Sequence, residues 1–239
     1  MIITIDGPAG AGKSSVAREL AARLGFRFLD TGAMYRTVAL AVLRRQMDWH
    51  DMPAVVEVAR AIRLDLDEHG VYLDGENVSD AIRATEVSEV VHFVADHPTV
   101  RELLVEQQRR IASAGNYVTE GRDQGTVAFP NADCKFYLTA CPEERAERRW
   151  RELQARGDVI SLEQVLRQQN ERDHRDQSRT VGRLVAADDA WEVCTDGMTA
   201  EHVVHHLEQT VRERCKLGVA SNACSSGSPG GASTSSSRE

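Results

Sequence analysis

The residues best placed to do chemistry lie near the N-terminus, where Gly7-Pro8-Ala9-Gly10-Ala11-Gly12-Lys13-Ser14-Ser15 fits the pattern G-x-x-x-x-G-K-[ST]. Small residues let successive backbone N–H groups converge on phosphate oxygens, and a helix beginning where the loop ends adds the positive end of its dipole. In that frame Lys13 reaches the β and γ phosphates of a nucleoside triphosphate, and the Ser14 hydroxyl helps to hold Mg²⁺. The bland alternative is a glycine-rich turn with a solvated lysine. It does not call for the run Ile3-Thr4-Ile5-Asp6 before the loop and the helical pattern after it.

Arginine is the second chemical resource, at Arg36, Arg101, Arg122, Arg145, Arg148, Arg149, Arg156, Arg172, Arg175 and Arg179. Phosphoryl transfer spreads negative charge over the moving group and both flanking oxygens, so cations must converge on it from several segments. Some of these arginines have a simpler use, because Glu144 with Arg148, Glu147 with Arg151 and Glu152 with Arg156 are helical i, i+4 pairs. Arg151 is read as part of a solvated face. Arg148, Arg149 and Arg156 stay open between that role and a mobile lid. A GTPase switch would need DxxG and NKxD strings at strand ends. The one DxxG match, at 67–70, sits in a hairpin-turn context, and NKxD does not occur. A motor would call for a carboxylate after the strand Phe136-Tyr137-Leu138, which instead runs into Thr139-Ala140.

Short apolar runs alternating with amphipathic stretches must position these groups. Ile2 to Ile5, Phe28 to Leu29, Tyr117 to Val118, Lys135 to Leu138 and Trp191 to Cys194 read as buried strands of a five-stranded parallel sheet. Helical stripes lie between them, among them Val16, Leu20 and Leu24, then Val100, Leu103, Leu104 and Ile111, then Val203, Val204, Leu207 and Val211. This alternation predicts a doubly wound α/β fold. Ile62 to Val78 breaks the rhythm with period-two alternation around His69-Gly70 and Asp74-Gly75, the pattern of a small antiparallel insertion. Glu143 to Arg183 reads as a long, arginine-rich helical segment.

A chain of 239 residues with 41% hydrophobic and 28% charged residues can bury a full core. A net charge of −8 argues against nucleic acid or an anionic membrane as partner, so an anion site must be a local basic pocket. No apolar run is long enough to span a bilayer, and the first stops at Asp6 without a basic flank, which predicts a cytoplasmic protein. Five cysteines without CxxC spacing predict reduced, mostly buried thiols rather than disulfides or a zinc site. From Gly218 onward the composition is Ser, Gly, Ala, Pro and Thr, and a disordered tail over 218–239 is expected.

Three further strings stand in order after the phosphate loop: Asp30-Thr31-Gly32-Ala33-Met34-Tyr35-Arg36, Glu120-Gly121-Arg122-Asp123-Gln124-Gly125-Thr126, and Glu171-Arg172-Asp173-His174-Arg175-Asp176 through Arg179. Together they closely resemble bacterial cytidylate kinases, from Met1 to about Leu217. The resemblance implies ATP and Mg²⁺ as cofactors, small-molecule nucleotides as the only partners, and a monomer. It also implies a P-loop kinase fold whose domain, 1–217, contains a monophosphate-binding region with the β insertion (about 37–105) and a lid (about 143–183). Thr31, Tyr35 and Arg36 would lie under the acceptor nucleotide, with Arg36, Arg122 and Arg179 on its phosphate. Arg172 and Asp176 would hold the sugar hydroxyls. Arg101 and Asp123 would read cytosine, and the reaction would be phosphorylation of CMP and dCMP. Another acceptor, such as UMP, dTMP or a small hydroxyl acid, is the rival. Two positions depart from the family pattern: His92 stands where a small hydroxyl residue is usual, and Gln124 where methionine is usual.

Overall fold

The computed structural model describes residues 1–67 and 69–215. The tail expected over 218–239 lies outside them. In chain order the elements begin β1 (Ile2–Asp6), α1 (Lys13–Leu24), β2 (Arg27–Asp30), α2 (Thr31–Arg44), α3 (Met52–Ala61), β3 (Leu64–Asp67), β4 (Gly70–Leu73) and β5 (Glu76–Asn77). A short 3-10 turn, Ala81–Arg83, leads to α4 (Thr85–Ala95), α5 (Pro98–Ala112), β6 (Tyr117–Glu120) and a π-turn, Gln124–Ala128. The chain continues through β7 (Cys134–Thr139), α6 (Pro142–Ala155), α7 (Leu162–Ser178), β8 (Trp191–Cys194) and α8 (Ala200–Arg214).

The main sheet has five strands in the order β2-β6-β1-β7-β8, all parallel. All five strands therefore end along one edge, where α/β sheets place ligands. β8 departs from expectation: at the sheet's margin only Val193 is buried, while Trp191, at the strand's first position on the same face, is exposed. The expectation for the cysteines also fails in part, since Cys134 is buried but Cys141 and Cys194 are exposed.

The insertion forms as its turn residues require. β3, β4 and β5 make a three-stranded antiparallel sheet. Asp74 and Gly75 both adopt positive φ, 52° and 89°, the conformation of a two-residue hairpin turn. This small sheet packs with α2, α3, α4 and α5 into one core through Val71, Leu73, Val38, Val55 and Val100. A second core joins β1, β7, α1 and α8 through Ile3, Ile5, Phe136, Leu20 and Leu207. The arginine-rich segment is two helices rather than one. Gly157, at φ 87°, follows the end of α6, and Ser161 with Gln164 forms a capping box that starts α7.

Side chains alternate across β1, so Ile3 and Ile5 face the second core while Thr4 and Asp6 face the π-turn. The Asp6 carboxylate accepts the backbone N–H groups of Gln124 at 2.8 Å and Gly125 at 2.7 Å. Burial dominates and pushes its pKa up to about 7, although those two bonds favour the charged form. Above pH 4 the unfolded chain has released this proton and the folded chain still holds it. The stability Asp6 contributes is therefore full below its ordinary pKa and is lost as pH rises toward 7. Asp6→Asn should remove that slope, which is at most about 1.4 kcal/mol per pH unit. Urea denaturation of both proteins at intervals from pH 4.5 to 7.5 checks it; parallel stability curves would show that Asp6 titrates normally.

Candidate functional site

The phosphate loop connects β1 to α1. Gly7 is required sterically, because a Cβ there would lie 2.0 Å from the Leu138 carbonyl oxygen of the neighbouring strand. Lys13 opens α1 and is buried, and its Nζ donates to Pro8 O at 2.7 Å. Burial first, and then the nearby Arg122 guanidinium, push its pKa down to about 7. Ser14 Oγ donates to Glu120 Oε1 at 3.0 Å, so a hydroxyl and a carboxylate meet beside the loop. That carboxylate ends β6. The strand-end acid that β7 lacks after Leu138 thus stands at the end of β6, which flanks β1 on its other side.

Next to the loop is an open cleft. The start of α2 supplies Thr31, Tyr35 and Arg36, α4 supplies His92, and α5 supplies Arg101. The turn after β6 supplies Arg122 and Asp123, and α7 with its C-cap supplies Arg172, Asp176 and Arg179. Every acceptor-site residue singled out in the sequence thus lines one cavity. Asp30 caps α2 by accepting Ala33 N–H at 2.9 Å, and Thr31 Oγ1 donates to Glu120 O at 2.6 Å, which ties the helix start to the sheet edge. Arg36 reaches Ser88 Oγ at 2.8 Å.

Electrostatics set the character of this cavity. Arg172 keeps an exposed surface, and desolvation and then the adjacent Arg122 guanidinium push it down to about 10. Burial and neighbouring arginines lower Arg36 too, partly against Asp30. Asp176 stands among these cations, accepting from Arg122 Nε at 2.8 Å and pairing with Arg179 Nη2 at 2.5 Å. Burial opposes its ionisation, yet Arg122, Arg179 and Arg172 hold its carboxyl below the usual range. Mutually repelling arginines that outnumber the carboxylates among them make a site ready for a further anion.

Deeper in the cleft Arg101 and Asp123 form a fully buried ion pair. Arg101 also donates to Ala95 O at 2.8 Å and lies 5.3 Å over the Tyr35 ring. Its Nε is buried without a hydrogen-bond partner among the described residues. Tyr35 is therefore both a buried aromatic and a wall of the cavity. His92 packs on Phe93 with ring centroids 4.2 Å apart, and burial lowers its pKa.

Gln124 is not part of the cleft wall. It is fully buried, accepts from Thr119 Oγ1 at 2.7 Å and donates to Gln108 Oε1 at 3.3 Å, so its departure from the family pattern changes the core. The three arginines expected in a lid separate. Arg148 donates to Thr195 O at 2.7 Å and Thr195 Oγ1 at 3.0 Å, away from the cleft, and also pairs with Glu144 at 3.0 Å. Glu152 pairs with Arg149 at 3.0 Å instead of with Arg156, which forms the C-cap of α6 where the helix geometry ends. Arg151 pairs with Glu147 on a solvated face, as its spacing implied.

Two cleft residues were not assigned a role from the sequence: Asp96, which pairs with Arg179 Nε at 2.5 Å, and Arg175, which joins the cleft from α7. An acid just before His97-Pro98 at a helix boundary was the available signal for Asp96. Asp173, within the third string, is buried and accepts Ala9 N–H of the phosphate loop at 3.2 Å.

A strand–loop–helix phosphate site and an arginine-lined cleft along one edge of a parallel sheet define a P-loop phosphotransferase. Comparison with known proteins narrows the class. The cytidylate kinase family model matches residues 3–213. A cytidylate kinase of Rhodopirellula baltica is 51% identical over 95% of this chain and 98% of its own length. One from Caldanaerobacter subterraneus is 46% identical over 90% of this chain and 96% of its own, and one from Pelotomaculum thermopropionicum is 50% identical over 84% and 92%. The chain belongs to the cytidylate kinase family.

Replacing Gln124 by methionine leaves the Thr119 hydroxyl and the Gln108 carbonyl without that partner. The expected outcome in urea denaturation is a loss of about 1 to 3 kcal/mol, the range for unpaired buried polar groups. The KM values for both nucleotides should be unchanged, since the side chain lies outside the cleft.

Proposed function

We propose that the chain transfers the γ-phosphoryl group of ATP to CMP and dCMP, giving ADP and CDP or dCDP. Family membership supports this reading, and one observation carries it: the mutually repelling arginines Arg36, Arg122, Arg172 and Arg179 line one cleft beside the phosphate loop. The loop from Gly7 to Ser15 holds the ATP phosphates, with Lys13 supplying positive charge at the β and γ groups. Ser14 and Glu120 bring hard oxygen donors together beside the loop, a donor set that suits Mg²⁺. When bound, Mg²⁺ neutralises charge on the ATP phosphates.

The acceptor is already a phosphate oxyanion, so no general base is required and this chain's contribution is positioning and charge. Arg36, Arg122 and Arg179 hold the acceptor phosphate, for which planar guanidinium groups offer paired hydrogen bonds. Arg172 and Asp176 hold the sugar hydroxyls. Asp123 accepts from the cytosine amine and Arg101 donates to the ring acceptors, while His92 takes the place of the family's hydroxyl residue. Arg149 and Arg156 stay with the lid, and Arg148 braces α6 against Thr195. Among the described residues no helix is long and apolar enough to cross a membrane. A cytoplasmic monomer is the form that fits this reading.

Asp123→Asn tests it, because the new amide donates to the uracil carbonyl where the carboxylate accepted from cytosine. kcat/KM for CMP should fall about 10- to 100-fold, the consequence of one or two mismatched buried groups, and the CMP to UMP ratio should narrow. Steady-state kinetics with CMP, dCMP and UMP check it; an unaltered ratio would remove the base-reading role.

A further inference from the structure

The phosphate loop is held from outside by two side chains that lie beyond its sequence pattern and do not line the acceptor cleft. Asp173, on α7, accepts the Ala9 N–H through Oδ1 at 3.2 Å. Arg145, on α6, donates from Nη1 to Ala9 O at 2.7 Å and to Asp173 Oδ2 at 2.5 Å. Its Nε donates to Ala140 O at 3.0 Å, which fixes the guanidinium against the end of β7. Both polar groups of one loop residue are thus satisfied by a single buried ion pair, whose members are 5% and 8% exposed. The next residue, Gly10, has φ 78°, and a Cβ there would stand 3.0 Å from Arg145 Cβ and 2.9 Å from Gln169 Oε1. The loop therefore rests directly on α6 and α7.

α7 faces two ways at this level. Asp173 turns to the phosphate loop, while Arg172 and Asp176 line the acceptor cleft. A pair serving only to join α6 to α7 would not need to bind Ala9. We propose that Arg145 and Asp173 are positioning residues for the triphosphate-binding loop, holding the Ala9 peptide so that the following N–H groups converge on the phosphates. The inference rests on reading Gly7 to Ser15 as the ATP loop. It extends that reading to a specific pair outside the loop and makes α7 the rigid link between the two nucleotide sites.

Direct binding, measured by calorimetry on the full chain with ADP and separately with CMP, tests the proposal. Asp173→Asn keeps the size of the side chain but gives Arg145 an amide in place of a carboxylate. ADP should bind about tenfold more weakly, as expected for loss of one charge-assisted contact, while CMP binding alone is unchanged. Arg145→Lys should act in the same direction and serves where Asp173→Asn does not fold. The double replacement Arg145→Met with Asp173→Leu separates positioning from stability. Removing both charges relieves the unpaired buried ion, so Tm should recover relative to Asp173→Asn while ADP affinity stays low.

ADP affinity that recovers together with Tm would overturn the proposal and leave a structural pair only. Wild-type ADP binding by Asp173→Asn and Arg145→Lys would overturn it, as would an equal loss of CMP binding. Lys13→Ala distinguishes the two levels. If it weakens ADP binding while the pair variants do not, the loop reading stands and the positioning role fails. If Lys13→Ala binds ADP normally, the loop reading itself fails.

Discussion

Repulsion among crowded arginines is the constraint around which the site is organised. Arg122, Arg172 and Arg179 line one cavity in a chain whose net charge is −8, and Arg172 is harder to keep protonated because of desolvation and the neighbouring Arg122. Such a cluster persists only if the scaffold opposes its dispersal. Asp176 and Asp96 do part of this, binding Arg122 and Arg179 in defined geometry. Residual positive charge is left facing the cleft, and a further anion there would relieve the repulsion.

The parallel sheet makes the arrangement possible by ending its strands along one edge. β1 delivers the phosphate loop, β2 runs into the capped start of α2, and β6 ends in Glu120 before the turn bearing Arg122 and Asp123. Polar residues on one face of the central strands secure that turn. Asp6 accepts two of its backbone N–H groups, and Thr119 anchors Gln124 beneath it. Function here depends on buried polar groups whose removal would be felt first as instability.

Much of the fold could be read from periodicity. Short, largely apolar runs at β1 and β7, separated by helical stripes, mark a doubly wound sheet without tertiary information, and Asp74-Gly75 marks the hairpin for the same local reason. Errors arose where position in the sheet overrides composition. Trp191 is apolar but exposed because β8 is marginal, and Cys141 and Cys194 lie at exposed ends of strands and helices. Helical spacing allowed Glu152 to pair with either Arg149 or Arg156, and the end of α6 at Ala155 settled the choice.

The sequence by itself determined which chemistry was available: a phosphate loop, whose geometry is local and whose glycines are needed within the loop itself, and a supply of arginines too rich for a solvated surface. Local order also determined that Thr31, Arg36 and Arg122 follow strands. Only the tertiary structure decided which arginines meet. Arg148 faces Thr195, Arg122 faces Asp176, and Arg145 with Asp173 closes on Ala9. Those pairings join residues 28 to 164 positions apart, and they depend on how α6 and α7 fold back over the sheet edge. An arginine's sequence neighbours report its helix face, whereas the charge it meets comes from another element.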